Sequence, residues 1–367
     1  MISDRAIQWL RLSMVRGIGS VTGRKLIHAV GNMDTLWHLS NADLTRLNGI
    51  SPQVLAALGE SHPDSTQKML EYCHNNHIGL LCPDDETWPE SLSQLDDAPL
   101  LLFYHGDVHA LNTQQILAVV GARRASREGI LITRRWCRYL SEQSTTIVSG
   151  MAYGIDAAAH GGALEGSAAT IAVLGCGLGT LSEQQQDQVA AIAAQGCVVS
   201  EFLPTATARP EHFPRRNRII AGLSHATLVM EADVRSGSLI TARQALQYGR
   251  EVFAVPGSVL GGKHAGCHQL IRDGAALIEN AEEVLQTMGW GVHATNANQH
   301  KKYHPADSAE LKLLQILAAE SMHLDHISES CGLTVPELSP ILLRLELQGV
   351  IERLPGSRYI LTCTISK

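Results

Sequence analysis

Six short, continuous apolar runs recur between residues 116 and 255, and they constrain the fold more than any other feature of the chain. The runs lie at 116–120, 146–148, 170–174, 197–199, 226–230 and 251–255. Segments with the apolar spacing of helices separate them, at 127–141, 152–164, 182–194, 216–223 and 238–248. Apolar strands that alternate with helices are typical of a parallel sheet covered on both faces. The sequence therefore predicts an α/β fold with a doubly wound, Rossmann-like and mostly parallel sheet.

The composition excludes several classes of protein. Of 367 residues, 45% are hydrophobic and 18% are charged, which is unlike a disordered or collagen-like chain. The eight Cys show no C-x-x-C spacing, so we expect neither a zinc site nor a disulfide framework. The chain meets charge at Asp4 and Arg5, and its longest uncharged stretch, 166–182, is interrupted by Gly, Ser and Thr. We therefore expect a reduced, cytoplasmic protein without a membrane segment.

The patterning predicts three structural parts and a linker. Residues 1–75 carry short helical segments around two Gly-containing turns, at 17–19 and 48–50, which is typical of a helix-hairpin-helix or SAM-like module. Because residues 1–110 have a net charge of -6, we favour a packing or oligomerisation role for this module over DNA binding. The Rossmann-like domain is assigned to 76–288 and a polar linker to 289–306. Three helices and a hairpin in 307–367 predict a winged helix.

The distribution of arginine matters more than the formal net charge of -7. Residues 111–300 hold 15 basic and 15 acidic side chains, and 14 of the 15 basic ones are Arg. Six of these lie between Arg123 and Arg138, and four lie between Arg209 and Arg218. The planar guanidinium suits bidentate contacts to phosphate, whereas solvated surfaces use Lys freely. The middle domain is therefore expected to carry a local anion-binding surface.

Gly-rich turns follow most of the predicted strands, notably at Gly121, Gly150, Gly175 and Gly237. Glycine lets the backbone approach an anion, and the next helix points its first N–H groups at it. No turn has the G-x-x-x-x-G-K-[ST] pattern, and the first lacks G-x-G-x-x-G, so a P-loop ATPase and ordinary NAD binding are both disfavoured. We expect a phosphate-bearing ligand and assign no cofactor.

The densest constellation lies at 210–218, where three Arg and an Asn surround Phe213. Arginine binds phosphates, and an aromatic ring stacks on an exposed base. The alternative is that Phe213 packs in the core while an Arg pairs with Glu211 or Glu231. That alternative is the better interpretation for a single Arg, whereas for the cluster as a whole we favour binding.

Candidate catalytic groups are weak. The chain has no G-x-S-x-G nucleophile elbow and no H-E-x-x-H. Cys176 follows a strand, but a small buried Cys is commoner than a reactive one. Asp156 and His160 are four residues apart on a helix, and a helix-capping role explains that pair equally well. We therefore assign no catalytic residue and no metal site.

Motifs in the middle of the chain carry a family resemblance. The matching strings lie at 149–160 (SGMAYGIDAAAH), 170–175 (TIAVLG), 213–224 (FPRRNRIIAGLS), 236–242 (SGSLITA), 249–257 (GREVFAVPG) and 270–275 (LIRDGA). They stand in order across roughly half of the chain. With them, the middle domain resembles the DNA-processing protein A family, also called Smf.

The resemblance implies a single-stranded DNA-binding protein of natural transformation, and not an enzyme. Such a protein protects incoming DNA, forms homodimers and loads the RecA recombinase. The residues matching the family's DNA pocket are Gly121, Arg123, Arg124, Gly150, His212, Phe213, Arg215, Arg216, Asn217, Arg218, Gly237 and Ser238.

Two other functions stay open at this stage. Related nucleotide-binding enzymes, the phosphoribohydrolases, carry a catalytic Glu after a Pro-Gly-Gly-x-Gly-Thr loop. The corresponding stretch here, 236–244, has no carboxylate, which disfavours hydrolysis but leaves nucleotide binding open. A scaffold role is the third possibility. The last long helix of the winged helix carries Glu337, Arg344 and Glu346 rather than a basic recognition face, so we expect 307–367 to bind protein, or DNA only weakly.

Overall fold

A computed structural model describes residues 3–40, 43, 50–291, 303, 305, 308–318, 321–354 and 356–361. The chain divides into two units, Met1–His293 and Ala294–Lys367. Most of the turn predicted at 48–50 and most of the predicted linker at 289–306 lie outside the described residues. The three domain boundaries drawn from the sequence stay predictions.

A nine-stranded sheet forms the centre of the first unit, with the strand order β1-β2-β6-β5-β4-β3-β7-β8-β9. The first two strands are antiparallel additions at one edge, and the strands from β6 to β9 pair in parallel. The strands are β1 Gly79–Leu81, β2 Leu102–Gly106, β3 Ile116–Val120, β4 Thr146–Ser149, β5 Thr170–Val173, β6 Cys197–Ser200, β7 Ala226–Val229, β8 Glu251–Ala254 and β9 Ala276–Leu277. The predicted mostly parallel α/β sheet is confirmed.

Helices precede the sheet and connect its strands. The helices before β2 are α1 Asp4–Ser13, α2 Ser20–Val30, α3 Met33–His38, α4 Pro52–Gly59, α5 Pro63–Asn75 and α6 Glu90–Ser93. Those that follow β3 are α7 Arg127–Glu142, α8 Ile155–Leu164, α9 Glu183–Gln195, α10 His212–Leu223, α11 Ser238–Gln247, α12 Ala265–Arg272 and α13 Ala281–Met288. Among the described residues, no helix combines the length and the apolarity that crossing a membrane requires.

Two helix starts differ from the sequence-based prediction, and both differences shape the site. Helix α8 begins at Ile155 rather than at 152, because Met151 and Gly154 have positive φ angles of 54° and 81° that interrupt a helix. Helix α10 begins at His212 rather than at 216. Pro214 fits in its first turn, where backbone N–H groups have no intrahelical acceptor. The Arg cluster therefore lies on the first two turns of a helix.

The order of the strands creates a crevice. From β3 the chain proceeds through β4 and β5 to β6 on one side of the sheet, and then returns to place β7 on the other side of β3. The direction of strand addition thus reverses between β3 and β7. Ligands of doubly wound sheets bind beyond the carboxyl ends of the strands at such a point.

The N-terminal helices pack on the sheet rather than standing apart from it. Leu10 of α1 and Leu26 of α2 share one buried apolar cluster with Phe103 of β2, Ala172 of β5 and Val198 of β6. Helices α7 and α8 cover the same face of β3 and β4, whereas α10 and α11 contribute to the apolar cluster on the opposite face. The central strands are therefore covered on both faces, which explains their continuous apolar sequence.

The second unit is a winged helix, as predicted. Its elements are α14 Ser308–Leu317, β10 Met322–His323, α15 Leu324–Cys331, α16 Val335–Leu347, β11 Ile351–Leu354 and β12 Arg358–Leu361, with the strand order β10-β12-β11. Leu314, Ile327, Leu342 and Tyr359 join the three helices and the sheet in one apolar cluster. Arg344 of α16 donates a 2.9 Å hydrogen bond to the buried carboxylate of Glu310.

Candidate nucleic-acid interface

A cleft of about 370 Å³ opens at the carboxyl ends of β3 and β7, where the strand order reverses. Its walls are the loop after β3, the loop after β4, the first turns of α10, and the loop that leads from β7 into α11. The lining residues are Val120, Gly121, Ala122, Arg123, Ala152, Asp156, Phe213, Pro214, Arg216, Asn217, Ile220, Asp233, Arg235, Ser236, Gly237, Ser238, Ile240 and Thr241.

Glu231 accepts hydrogen bonds that hold the β3–α7 loop, which carries Arg123 and Arg124, in place. The backbone N–H of Ala122 donates to the carbonyl of Glu231 over 2.7 Å. The N–H and hydroxyl of Ser126 donate to the buried Glu231 carboxylate at 2.9 Å and 2.5 Å. Ser126 also caps α7 by accepting from the Gly129 N–H. The two exposed arginines therefore project from a fixed turn.

Arg123 and Phe213 form the polar and aromatic rim of the cleft. The Arg123 guanidinium carbon lies 4.8 Å from the centroid of the Phe213 ring, within the range of a cation–π contact. The half-buried ring also packs against Gly175, where an added Cβ would come within 3.0 Å of it. The glycine thus makes room for Phe213. The arrangement sets guanidinium donors suited to phosphate beside an aromatic surface suited to a base.

Arg216 forms the floor of the cleft and is only 4% exposed. Its Nη1 donates to the carbonyl of Gly150 over 2.6 Å and to the carbonyl of Val173, at the ends of β4 and β5. A Cβ at Gly150 would lie 2.6 Å from this guanidinium, so the Gly-rich turn accommodates the arginine. The structure therefore brings Arg216 and Gly150 together beneath the site, with the guanidinium held by backbone carbonyls.

Arg218 does not reach the cleft. It is 6% exposed, donates to the carbonyl of Asp97 over 2.6 Å, and forms an ion pair with the buried carboxylate of Glu201. Arg215, whose side chain is 51% exposed, lies 3.7 Å from the same carboxylate and stacks over Phe202. Burial raises the pKa of Glu201, and the two arginines oppose that shift. From the sequence, pairing with an internal carboxylate was the better interpretation for a single arginine. The structure shows such a pair for Arg218, and its partner is Glu201.

Two other predicted residues brace the helices that border the cleft. The ring of His212 stacks on Phe202 at 4.1 Å, and its Nδ1 lies 3.2 Å from the carbonyl of Gly175, outside the cleft lining. Asn217 lies in the lining, where its amide donates to the carbonyl of Gly237 over 3.4 Å. The Asn217 contact joins α10 to the turn before α11, where Ser238 begins the helix.

Three buried titratable groups, Asp156, His160 and Arg216, lie at or behind the floor of the cleft. Burial raises the pKa of Asp156, which Arg216 partly opposes, and burial lowers the pKa of Arg216 itself. Burial, followed by the charge of Arg216, lowers the pKa of His160 to about 3. His160 Nδ1 lies 2.8 Å from the Thr170 hydroxyl, which itself donates to the carbonyl of Ile147. The proton of neutral His160 is therefore assigned to Nδ1.

We expect His160 to make the first unit sensitive to acid. The unfolded histidine takes up a proton near its ordinary pKa of 6.5, whereas the folded one does so only near 3, so stability is lost as pH falls through that interval. The free energy of unfolding should decline by up to about 1.4 kcal/mol per pH unit from this group. Urea unfolding of the parent and of His160→Gln at pH 7, 6, 5 and 4 measures the difference.

Comparing the pH dependence of the free energy of unfolding in the two proteins separates the contribution of His160 from that of Asp156. The raised pKa of Asp156 acts in the opposite sense, since the folded protein then takes up that proton first, and it does so in both proteins. A shallower pH dependence in His160→Gln supports the assignment. Identical slopes would contradict it.

Gly154 is expected to hold the β4–α8 loop against the β3–α7 loop. Its φ is 81°, and an added Cβ would lie 2.3 Å from the carbonyl oxygen of Ala122 and 2.6 Å from that of Arg123. Gly154→Ala should therefore lower the free energy of unfolding by about 3 kcal/mol, from overpacking and from backbone strain together. Gly249, with a φ of 68° and no atom within 4 Å of its Cβ position, is the matched control. Gly249→Ala should cost only about 1 kcal/mol, and equal losses in urea titrations would argue against the packing role.

Several cleft residues were missed by the sequence analysis. Arg235 and Asp233 are exposed and line the cleft on the loop after β7. The position of Arg235, immediately before the Ser236-Gly237 turn at a strand end, was the signal that could have identified it. The partners of Arg218, Asp97 and Glu201, gave no such signal, because they lie 121 and 17 residues away in the sequence.

The fold and the cleft together define a class of protein: a doubly wound, Rossmann-like domain with a phosphate-compatible, Arg- and Phe-rimmed cleft, followed by a winged helix. The family model described as DNA recombination-mediator protein A matches residues 79–289, and the DprA winged helix domain model matches residues 298–357. The chain belongs to the DNA recombination-mediator protein A family, and the predicted family resemblance is confirmed.

Individual relatives agree with this membership. The chain is 41% identical to Protein Smf of Escherichia coli (strain K12) over 289 residues, which cover 77% of this chain and 76% of the relative. The crystal structure of DNA processing protein A from Streptococcus pneumoniae is similar at a TM-score of 0.68 and 35% identity, over 78% of this chain and 98% of that one. DNA processing protein A from Helicobacter pylori, described for its unique single-stranded DNA binding mode, is similar at a TM-score of 0.53 and 29% identity, over 59% and 97%.

Proposed function

We propose that the protein binds single-stranded DNA in the cleft at the carboxyl ends of β3 and β7. The observation that carries the proposal is the Arg123 guanidinium placed over the Phe213 ring at the topological switch point. Phosphates contact Arg123 and the N-terminal turn of α11, and a base contacts Phe213. Membership of the recombination-mediator family, and the single-stranded DNA binding described for the Helicobacter pylori relative, support the proposal.

The residues predicted from the sequence take different parts in this proposal. Direct contact with the strand is assigned to residues at the rim or in the walls of the cleft, and support of the site to residues whose side chains are held beneath or behind those walls. The contact residues are Gly121, Arg123, Arg124, Phe213, Asn217, Gly237 and Ser238. Gly150, His212 and Arg216 support the walls, Arg215 adds positive charge beside α10, and Arg218 acts on stability alone.

The wider function we propose is that of a cytoplasmic, non-enzymatic mediator of natural transformation, which acts as a homodimer, protects incoming DNA and loads the RecA recombinase. Support comes from the family, whose description is that of a recombination mediator, and from relatives named as DNA processing proteins. In the cleft lining, the carboxylates are Asp156, which is buried, and Asp233, which is exposed. Asp156 accepts the backbone N–H of Ala152 over 3.4 Å, and this bracing of the β4–α8 loop supports a binding role rather than a catalytic one.

Fluorescence anisotropy of a labelled oligo-dT strand, over a salt series, tests the binding proposal. We expect affinity that falls as salt rises, because bound phosphates release counterions. A matched duplex should compete poorly, since stacking on Phe213 needs unpaired bases. Absence of binding to the strand, or retention of a free nucleotide in its place, would favour the nucleotide-binding alternative.

RecA loading needs its own assay. RecA is added to single-stranded DNA precoated with single-stranded DNA-binding protein, and its DNA-dependent ATP hydrolysis is followed with and without this protein. We expect a shorter lag when the protein is present. An unchanged lag, with strand binding intact, would limit the function to DNA protection. Sedimentation equilibrium of the full chain measures the proposed homodimer.

A further inference from the structure

Tyr153 has a largely exposed side chain, unlike every other Phe, Trp or Tyr of the chain. The chain has four Phe, five Trp and seven Tyr, all among the described residues, and Tyr153 alone is largely exposed, at 77%. The other aromatic side chains are buried or half-buried, as their large apolar area favours. An aromatic ring left in solvent at the edge of a binding cleft has free area for a partner.

The backbone around Tyr153 holds the ring in a defined place. Met151 has a φ of 54°, a conformation that a non-glycine residue keeps only when its surroundings impose it. Gly154 fits closely against the carbonyls of Ala122 and Arg123, and the N–H of Ile155 donates to the carbonyl of Ala122 over 3.2 Å. The loop with Tyr153 is therefore fastened to the loop with Arg123.

The position of this loop in the sheet places Tyr153 beside the cleft. Strands β3 and β4 are paired neighbours, and adjacent strands lie about 4.8 Å apart. Ala152, next to Tyr153 in the sequence, lines the cleft, whereas Tyr153 itself lies beyond the lining. Seen along the carboxyl edge, the order is therefore the α11 turn after β7, the Arg123 loop after β3, and the Tyr153 loop after β4.

We propose that Tyr153 is a second base-stacking residue, which receives a base next to the one held at Phe213. The strand then crosses the carboxyl edge of the sheet from the start of α11, over Arg123, to the β4–α8 loop. The backbone between the two bases passes Arg123 and Arg124, whose exposed side chains supply the positive charge. This inference rests on the proposed single-stranded DNA binding and adds the direction in which the strand leaves the cleft.

Oligo-dT binding by Tyr153 variants tests the inference. Tyr153→Ala should weaken binding about five- to tenfold, the effect of removing one modest base–aromatic stack. The slope of log affinity against log salt should stay unchanged, because stacking releases no counterions. Tyr153→Phe should bind within twofold of the parent, because it keeps the ring. Leu246→Ala is the control: Leu246 is 51% exposed near the end of α11, away from the carboxyl edge, and its truncation should have no effect.

A tryptophan at position 153 provides a second measurement. Tyr153→Trp should keep the affinity, and its additional fluorescence, taken as the difference from the parent, should be quenched when oligo-dT is added. An unquenched signal would place the ring away from the bases. Equal weakening in Tyr153→Ala and Tyr153→Phe would point to a contact of the hydroxyl and would overturn stacking.

Failure of this inference is distinguishable from failure of the proposed function. If Arg123→Glu weakens binding while Tyr153→Ala binds as the parent does, the cleft binds the strand and Tyr153 takes no part. If the parent itself does not bind oligo-dT, the proposed function fails, and the inference fails with it. Thermal unfolding of each variant should match that of the parent, because the exposed ring contributes little to the core.

Discussion

Replacing Arg123 with glutamate is expected to weaken the binding of oligo-dT about 100-fold at low salt. The change removes charged hydrogen bonds to phosphate, each worth about 1.5–3 kcal/mol, and adds repulsion between the new carboxylate and the strand. It also ends the cation–π contact with Phe213. For every phosphate that the variant no longer binds, the slope of log affinity against log salt should become shallower by about 0.7. Anisotropy titrations at several salt concentrations measure both quantities.

The matched control for this prediction is Arg135→Glu. Arg135 is exposed on α7, the helix that follows the Arg123 loop, eight residues and about 12 Å beyond the first residue of that helix. The Arg135→Glu substitution changes the net charge by the same amount as Arg123→Glu, but at a distance from the cleft. We expect a loss of no more than about threefold at low salt, which vanishes at physiological salt through screening. Equal losses in the two variants would show that binding follows the general charge of the domain, and the cleft assignment would then be wrong.

Replacing Arg218 with alanine is expected to lower the free energy of unfolding by about 3–5 kcal/mol, the cost of leaving a buried charge without its partner. Glu201 is buried, and Arg218 is its closer partner. The substitution also removes the donor to the carbonyl of Asp97. Denaturant unfolding followed by circular dichroism measures the effect. Where the variant folds, its affinity for oligo-dT should stay within about threefold of the parent.

Arg215→Ala provides the comparison within the same helix. Arg215 contacts the same carboxylate at 3.7 Å but is half-exposed, and exposed ion pairs contribute about 0–1 kcal/mol. Arg215→Ala should therefore leave the free energy of unfolding within about 1 kcal/mol of that of the parent, and it should weaken the binding of oligo-dT instead. A reversed result, with Arg215→Ala unstable and Arg218→Ala stable but deficient in binding, would refute the division of roles between these two arginines.

The core of the fold was predictable because its signals are local. Each apolar run that predicted a strand from β3 to β8 agrees with the observed strand to within one residue at either end. Those strands are buried on both faces, so every residue contributes to the signal. Strands β1, β2 and β9 were not predicted; β1 and β9 have only three and two residues, which do not establish a pattern at a sheet edge.

The site was predictable in part. Counting arginines and Gly-rich turns led to Arg123, Phe213 and Gly237, which the structure brings to one cleft. The same count could not separate Arg215, Arg216 and Arg218, which are neighbours in the sequence but have different surroundings. Their partners are distant in the sequence: Arg216 contacts the carbonyls of residues 150 and 173, and Arg218 contacts residues 97 and 201.

By itself, the sequence determined the class of fold, the family, and the residue types from which a phosphate site is built. Periodic burial and turn chemistry act over a few residues and can be read without a structure. Only the tertiary structure decided which residues face the cleft, because the pairing of β3 with β7 joins segments more than 100 residues apart. Burial then divided the arginines of the 210–218 cluster: Arg216 and Arg218 have internal acceptors, whereas Arg215 stays exposed.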